Sequence, residues 1–267
     1  MNNYIFYKKS LIFDGAPHFE KQLNKKELKD LLKKNNAYFI RNVYNYDCPY
    51  ETSFWYIVKD SFNGFEELGS TTRNNIRRAQ KLLDIQIIDK QLILEQAYEV
   101  YLSSFQNYVN ITEPPVSEDI FKKGLKVDIP GEQFWGCIDK ENGKLIAYAR
   151  NIITDHMCSY SSMKANPEYL KGYFPFYGLF YAMNEYYLKN MGLRYVSDGA
   201  RSITNHSNIQ PFLIDKFKFR KAYCMLSITY VWWLNIPIVL LFPFRKYFKN
   251  SKIQALFRME EMARNIL

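Results

Sequence analysis

Asp198 closes the run Leu193-Arg194-Tyr195-Val196-Ser197 and stands directly before Gly199. A carboxylate at a strand end, beside a glycine that lets the chain turn, can orient an acceptor amine or take its proton. It can equally be a turn aspartate that caps Gly199-Ala200, and the sequence leaves both roles open. Arg201, three residues on, is placed to bind an anionic substrate group, to pair with Asp198, or to remain solvated. His206 lies in the polar run Ser202 to Asn208, where an ordinary imidazole titrates near neutrality and suits proton transfer; a surface histidine is the competing reading. Arg73, Arg77 and Arg78 present forked donors that fit the phosphate of a donor or an acidic acceptor, against the simpler reading of a solvent-facing helix. His156 and Cys158 alternate on one strand and should share a face, as a buried structural pair rather than a Cys–His nucleophile.

The four cysteines, Cys48, Cys137, Cys158 and Cys224, are widely spaced, with no CxxC pair and no compact His/Cys/carboxylate cluster, so they are read as reduced thiols and no metal is expected. The 267 residues are 48% apolar and 17% aromatic, enough for a sizeable core and too apolar for a disordered tail. With 24% charged residues and no stretch near ~20 continuous apolar residues, a multi-span membrane protein is excluded. Thirty-six Lys and Arg against 27 Asp and Glu leave +9, which favours an anionic partner: phosphate, nucleic acid or acidic lipid. The amino-terminal MNNYIFYKKSLIFDG lacks the apolar region and cleavage site of a secretory signal, so a cytoplasmic location is expected, with peripheral contact on the inner face of the membrane as its variant.

These residues need elements to hold them. Two β-rich runs within 37–60, AYFIRNVYN and SFWYIVKD, predict strands. Gly69 to Thr72 then predicts a hydroxyl-capped basic helix over RNNIRRAQKLLD. A strand at 85–89 and an amphipathic helix over QLILEQAYEVYLSSFQNY come next, and then a short helix at SEDIFKKGLK. QFWGCIDKENGKLIAYARNIIT reads as a hairpin turning at Asn142-Gly143. Beyond it come a strand at 156–165, a helix over FYGLFYAMNEYYLKNMG ended by Gly192, a strand at LRYVSDGA, a helix at 208–218 and a last strand, KAYCMLSITYVWW. The order gives a mixed α/β class with soft divisions: a strand-containing extension with the basic helix at 1–90, a core at 91–233 and an apolar, basic tail at 234–267.

STTRNNIRRAQK at 70–81, ENGKLIAYARNI at 141–152 and GLRYVSDGARSITNHSNIQPFLIDKFKFRKAY at 192–223 together resemble the GCN5-related N-acetyltransferases, and especially their Fem-type branch of aminoacyl transferases and envelope or polysaccharide enzymes. The resemblance covers roughly residues 55 to 230. It implies a GNAT-like mixed central sheet flanked by helices, with the N-terminal extension adding strands. It further implies a cleft where two central strands splay apart, oxyanion donors among the backbone N–H groups near 158–163, and Tyr223 as the acid that protonates a departing thiolate. The family's pyrophosphate loop, Arg/Gln-x-x-Gly-x-Gly/Ala, is replaced here by YLKGYFPFYG, in which Gly172 and Gly178 remain. Lys164 and Lys171 then supply charge near a helix start, where N–H groups and the helix dipole favour phosphate. A CoA-sized groove is expected between the strand at 156–165 and the helix beginning near 175.

The tail segment VWWLNIPIVLLFPF, 231–244, with Arg245, Lys246 and Lys249 after it, is too short to span a bilayer but suits an interface, through 231–249; a core strand running into a packed loop is the competing reading. Three functions are in play. The leading one is an N-acyltransferase moving an acyl group from acetyl-CoA or another acyl-CoA to an amine, such as an amino sugar or a small-molecule or lipid-linked envelope-glycan precursor. The second takes its donor from aminoacyl-tRNA, as the Fem-type resemblance permits. The third is a noncatalytic GNAT-like module that binds anionic lipid or nucleic acid. For either enzyme, Asp198, His206 and Tyr223 are the catalytic candidates, Lys164, Lys171, Gly172 and Gly178 the donor-binding ones, and Arg201, Arg73 and Arg77 the substrate-binding ones.

Overall fold

A computed structural model describes residues 4–7, 9–20, 23–107, 114–202 and 209–266. Its strands in chain order are β1 (Tyr4–Tyr7), β2 (Ser10–Phe13), β3 (Phe39–Tyr44), β4 (Phe54–Lys59), β5 (Leu83–Ile88), β6 (Glu132–Asp139), β7 (Leu145–Thr154), β8 (Met157–Ala165), β9 (Tyr195–Ala200) and β10 (Arg220–Tyr230). The helices are α1 (Lys25–Lys34), α2 (Ser70–Leu82), α3 (Lys90–Ser104), α4 (Glu118–Lys126), α5 (Pro175–Asn184), α6 (Ile209–Phe217), α7 (Trp232–Leu241) and α8 (Ser251–Ala263). Mixed strands with flanking helices make the class α/β, as the element order predicts. The chain forms two compact units, one of Met1–Tyr56, Ala200–Asn205 and Lys221–Leu267, the other of Ile57–Gly199 and His206–Arg220.

In the first unit the strand order is β1-β2-β3-β10-β4, with β2 parallel to β3 and β3 antiparallel to β10. α1 is a short, largely polar helix held by a capping box: Asn24 accepts from the Lys26 and Glu27 N–H groups, and Glu27 accepts from the Asn24 N–H. Leu28 and Leu32, four apart, share its buried face and meet Leu11, Ala37 and Ile40. On the other side of the strands Phe54, Cys224 and Leu226 pack with Met259 and Met262 of α8. The expected last strand stops at Tyr230, paired with Phe39. The Val231 N–H still donates to Tyr38 O, at 2.9 Å, but the Val231 carbonyl already accepts from Leu234 and Asn235, which starts α7 where an extended Trp-Trp end was expected.

In the second unit the order is β4-β9-β8-β7-β6-β5. The β6–β7 hairpin turns through Asn142-Gly143 as its sequence predicts, with Gly143 at φ 71°. α3 and α4 cover it through Ile93, Ala97, Val100 and Leu125, packed on Phe134, Leu145 and Tyr148. Two local differences matter. α2 begins one residue after an extended Gly69, with no side-chain cap, so Ser70, Thr71 and Thr72 are helical residues rather than caps and Thr72 is buried. The helix expected to continue to Gly192 widens after Asn184 into a π-helical turn, Glu185–Asn190, which turns Tyr187 fully inward.

Candidate functional site

The site is built on β8 and β9. These strands run parallel and pair over only three positions, Met157–Tyr195, Cys158–Val196 and Ser159–Ser197. Beyond Ser159, β8 keeps its partner β7 as far as Ala165, while the register slips between Arg150 and Asn151 so that Ser161 is bulged out. A bulge ends pairing on one side and re-aims the side chains beyond it, and here it falls just after the β8–β9 ladder ends. The pairing of these two strands thus ends where the expected splay would begin.

Asp198 is the first residue of β9 past the end of that pairing. The Ser197 hydroxyl donates to Ile57 O and accepts the Gly199 N–H, both at 3.0 Å, and Gly199 sits at φ 90°. A serine thus caps the turn, and Asp198 is released from the capping role its position suggested. Its carboxyl is half-buried; burial raises its pKa to about 7, against which a hydrogen bond from Gln210 of α6 acts. A carboxyl poised there exchanges a proton readily at neutral pH.

Beside it lies a buried polar seam that sequence reasoning missed. Tyr160 donates to Asn184 Oδ1 at 2.7 Å, and the Asp198 charge is among the causes, after burial, that raise the Tyr160 pKa. The Tyr187 hydroxyl accepts from Trp135 Nε1 at 2.9 Å and Asn151 Nδ2 at 3.2 Å and donates to Gln133 Oε1 at 3.0 Å. Two buried amide atoms of this seam, Asn151 Oδ1 and Asn184 Nδ2, have no partner. The sequence signal was the placing of polar residues inside apolar runs, Asn151 in ARNII and Asn184 in FYAMN. Twenty-two tyrosines hid Tyr160 and Tyr187.

The donor end differs from expectation. The ground between β8 and α5 is packed at Tyr160, whose ring lies 5.9 Å from Phe180 and 6.4 Å from Phe219, so a groove there is filled at that point. α5 is capped by Phe174 in the left-handed region, at φ 53°, and starts on Pro175, which has no N–H. The Tyr177 and Gly178 N–H groups both go to Phe174 O, at 3.0 and 3.3 Å. Gly178 is a packing residue: a Cβ there would stand 3.1 Å from the Ala79 Cβ of α2 and would strike Ile85. Gly172, at φ 98°, does face a cation, since a Cβ on it would lie 3.9 Å from Arg78 Nη2. Yet Asp139, ahead of burial and Glu141, raises the Tyr173 pKa, which puts negative charge at the same loop.

Of the other candidates, Lys171 stands in that same loop, next to Gly172. Lys164 has its ammonium 5.3 Å over the Phe105 ring, and Lys171 is exposed. The Arg77 guanidinium lies 5.1 Å over Phe65 and Arg73 is half-buried on the same helix. His156 is exposed in the tight turn Asp155-His156, both at positive φ, so β8 begins after it; Cys158 alone is buried, and the expected shared face does not exist. His206 lies outside the described residues. Tyr223 belongs to the first unit, where its hydroxyl donates to Glu51 Oε1 at 3.1 Å and burial together with that carboxylate raises its pKa, a poor setting for an acid that must release a proton. Arg201, also of the first unit, donates through Nη1 to Ser53 O at 2.6 Å and stacks 4.2 Å over Trp55. Among the described residues no three His, Cys, Asp or Glu side chains gather as a metal site, and no helix is long and apolar enough to cross a membrane.

No family profile matches the sequence, and no curated protein matches it significantly. Solved structures do match in fold. The C-terminal domain of a putative lysylphosphatidylglycerol synthetase from Agrobacterium fabrum superposes with a TM-score of 0.55 at 12% identity, over 89% of this chain and 83% of that one. A structure of FemX gives 0.57 at 11% identity, over 89% and 85%. L-PGS from Bacillus licheniformis gives 0.53 at 11% identity, over 98% and 85%. The chain shares the fold of these three structures, the GNAT-like mixed central sheet flanked by helices that its sequence resemblance implied.

Proposed function

We propose that this chain is a transferase that moves an aminoacyl group from an aminoacyl-tRNA to an amine presented at a membrane surface. The observation that carries the reading is the Asp198 carboxyl, raised to about 7 at the point where β8 and β9 part. The acceptor nitrogen attacks the ester carbonyl and passes its proton to Asp198; the C–O bond breaks, and the terminal oxygen of the tRNA departs as a hydroxyl with that proton returned from Asp198, which regenerates the carboxylate. Backbone N–H groups of β8 past Ser159 are the candidate oxyanion donors.

An aminoacyl ester is favoured over acyl-CoA by the filled ground at Tyr160, by an α5 tip that starts on Pro175 and has its Tyr177 N–H engaged by Phe174 O, and by the acidic groups at the Tyr173 loop. Arg78 beside Gly172 is the observation that keeps acyl-CoA as the second reading. The fold neighbours named for FemX and for a lysylphosphatidylglycerol synthetase agree with the first, and a net charge of +9 suits a polyanionic donor. The membrane side rests on α7, in which Ile238 is the one buried residue and Trp232, Trp233, Ile236, Val239, Leu240 and Leu241 are exposed.

Thermal protection separates the donors. Charged tRNA is expected to raise the melting temperature more than the same tRNA uncharged, and acetyl-CoA to leave it unchanged. Protection by acetyl-CoA alone reverses the choice of donor. Asp198→Asn should fold, keep donor protection and lose turnover by about 10²–10⁴-fold; full turnover in that variant ends the assignment of Asp198.

A further inference from the structure

The first unit holds a cavity of about 120 Å³ that the transfer chemistry does not use. Arg41 of β3 and Arg201 open onto it, and Phe13, Phe54, Tyr56 and Leu226 supply apolar wall. Among the described residues no Asp or Glu lines it. Arg41 is held in the apolar layer between the strands and α8: its Nε is buried without a partner, and its Nη1 reaches only the sulfur of Met259, at 3.9 Å. Burial lowers the Arg41 pKa, and burial, then repulsion from Arg258, lowers that of Arg201, with Glu261 acting in the opposite sense.

The carboxylates of α8 are already engaged. Glu260 accepts from Tyr230 Oη and from Arg264 Nε, each at 2.8 Å, and Glu261 is paired with Arg245. Two guanidinium groups therefore face one small cavity without a carboxylate on its wall. A guanidinium partly withdrawn from water with no carboxylate on the cavity wall is disfavoured in its charged form, and an entering anion would offset that. A single fork satisfies a carboxylate, whereas two forks from different directions match the several oxygens of a phosphate. The rings and Leu226 leave room for carbon rather than for more charge.

We infer that this cavity binds a phosphate ester, with its oxyanion between Arg41 and Arg201 and its organic group against Phe13, Phe54 and Tyr56. The inference stands independently of the transferase reading, because its test reads binding and not turnover. The ester has two sources, a soluble metabolite or a phospholipid headgroup.

The test is calorimetric titration and thermal melting of the full chain with inorganic phosphate, glycerol 3-phosphate and monomeric dihexanoyl phosphatidylglycerol. At least one ester should bind saturably and raise the melting temperature, with inorganic phosphate weaker. Glycerol 3-phosphate binding alone identifies a soluble ester; binding of the phosphatidylglycerol alone identifies a headgroup. Arg41→Met should weaken that ester at least about tenfold while the ligand-free protein melts at the same or a higher temperature, since an unpaired buried charge is gone. Arg41→Lys, a charge without the fork, should fall between. The inference is overturned if neither ester binds at about 10 mM, if inorganic phosphate binds as tightly as the esters, or if Arg41→Met keeps full affinity. It is also overturned if Arg41→Met unfolds while Arg41→Lys is stable and fails to bind.

Discussion

In the proposed transfer the chemistry turns on one carboxyl group whose surroundings set its proton affinity. Partial burial raises the Asp198 pKa to about 7, and Gln210 only partly offsets that. If Asp198 is the base, kcat/KM should rise with pH through a midpoint near 7, and Asp198→Asn should flatten that limb. The same shift has a stability consequence of definite sign. Between the unfolded value and about 7 the folded state binds more protons than the unfolded one, so stability is greatest below the lower value and declines as pH rises through the upper. Asp198→Asn should therefore raise the melting temperature at pH 8 and change it little at pH 4, a gain on the order of a few kcal/mol at most. Melting curves of both proteins across that range check it, and a variant less stable at pH 8 would remove the burial argument. Asp198 was legible because a strand ending in Asp-Gly is a local pattern. Its perturbation was not, because it comes from burial, which depends on tertiary packing, and is opposed only by Gln210 of α6. Tyr223 shows the converse: its place in the sequence suggested an acid, while Glu51, far away in the chain, holds its hydroxyl.

At the level of elements, α5 is positioned by a glycine that the sequence had marked for phosphate. Gly178 lets α5 approach α2 at Ala79, and a methyl group there meets another Cβ at 3.1 Å, which no rotamer change relieves. Gly178→Ala should thus destabilise by about 1–3 kcal/mol through overpacking, although alanine is the better helix former. Chemical denaturation measures this, and a neutral or stabilising result would mean that the helices separate freely. Elements with local signals were legible: the Asn142-Gly143 hairpin, the periodic α3, and the strand at β8. The four-residue strands β1 and β2, polar α1, and α8 carried no comparable signal, since their stability comes from partners such as Ile40, Phe54 and Leu226. The π-helical turn that brings in Tyr187 is likewise set by tertiary contacts, with Trp135 and Gln133 on β6 drawing the hydroxyl inward.

For the molecule as a whole, composition and surface have to agree. A chain with a net charge of +9 carries, on its first unit, a helix that is apolar nearly all round and barely buried: Trp232 is 76% exposed and Leu240 65%. Phe244 and Tyr247 continue that surface, and Lys246, Lys249 and Lys252 stand exposed beside it. Trp at an interface, aliphatic groups below it and lysines at the rim are what an acidic bilayer surface binds. Each large side chain entering the acyl boundary contributes up to ~1.5–3 kcal/mol, and each lysine about 1 kcal/mol near an anionic surface. The protein should therefore sediment with vesicles containing phosphatidylglycerol, more weakly with phosphatidylcholine alone, and less in high salt. Its tryptophan emission should shift to the blue on binding. Trp232→Ser with Leu240→Ser should weaken vesicle binding at least about tenfold and leave the fold intact, since neither side chain is buried. Unchanged sedimentation of the double variant, or a self-association that consumes α7 and excludes vesicles, would assign this face to a second copy of the chain instead.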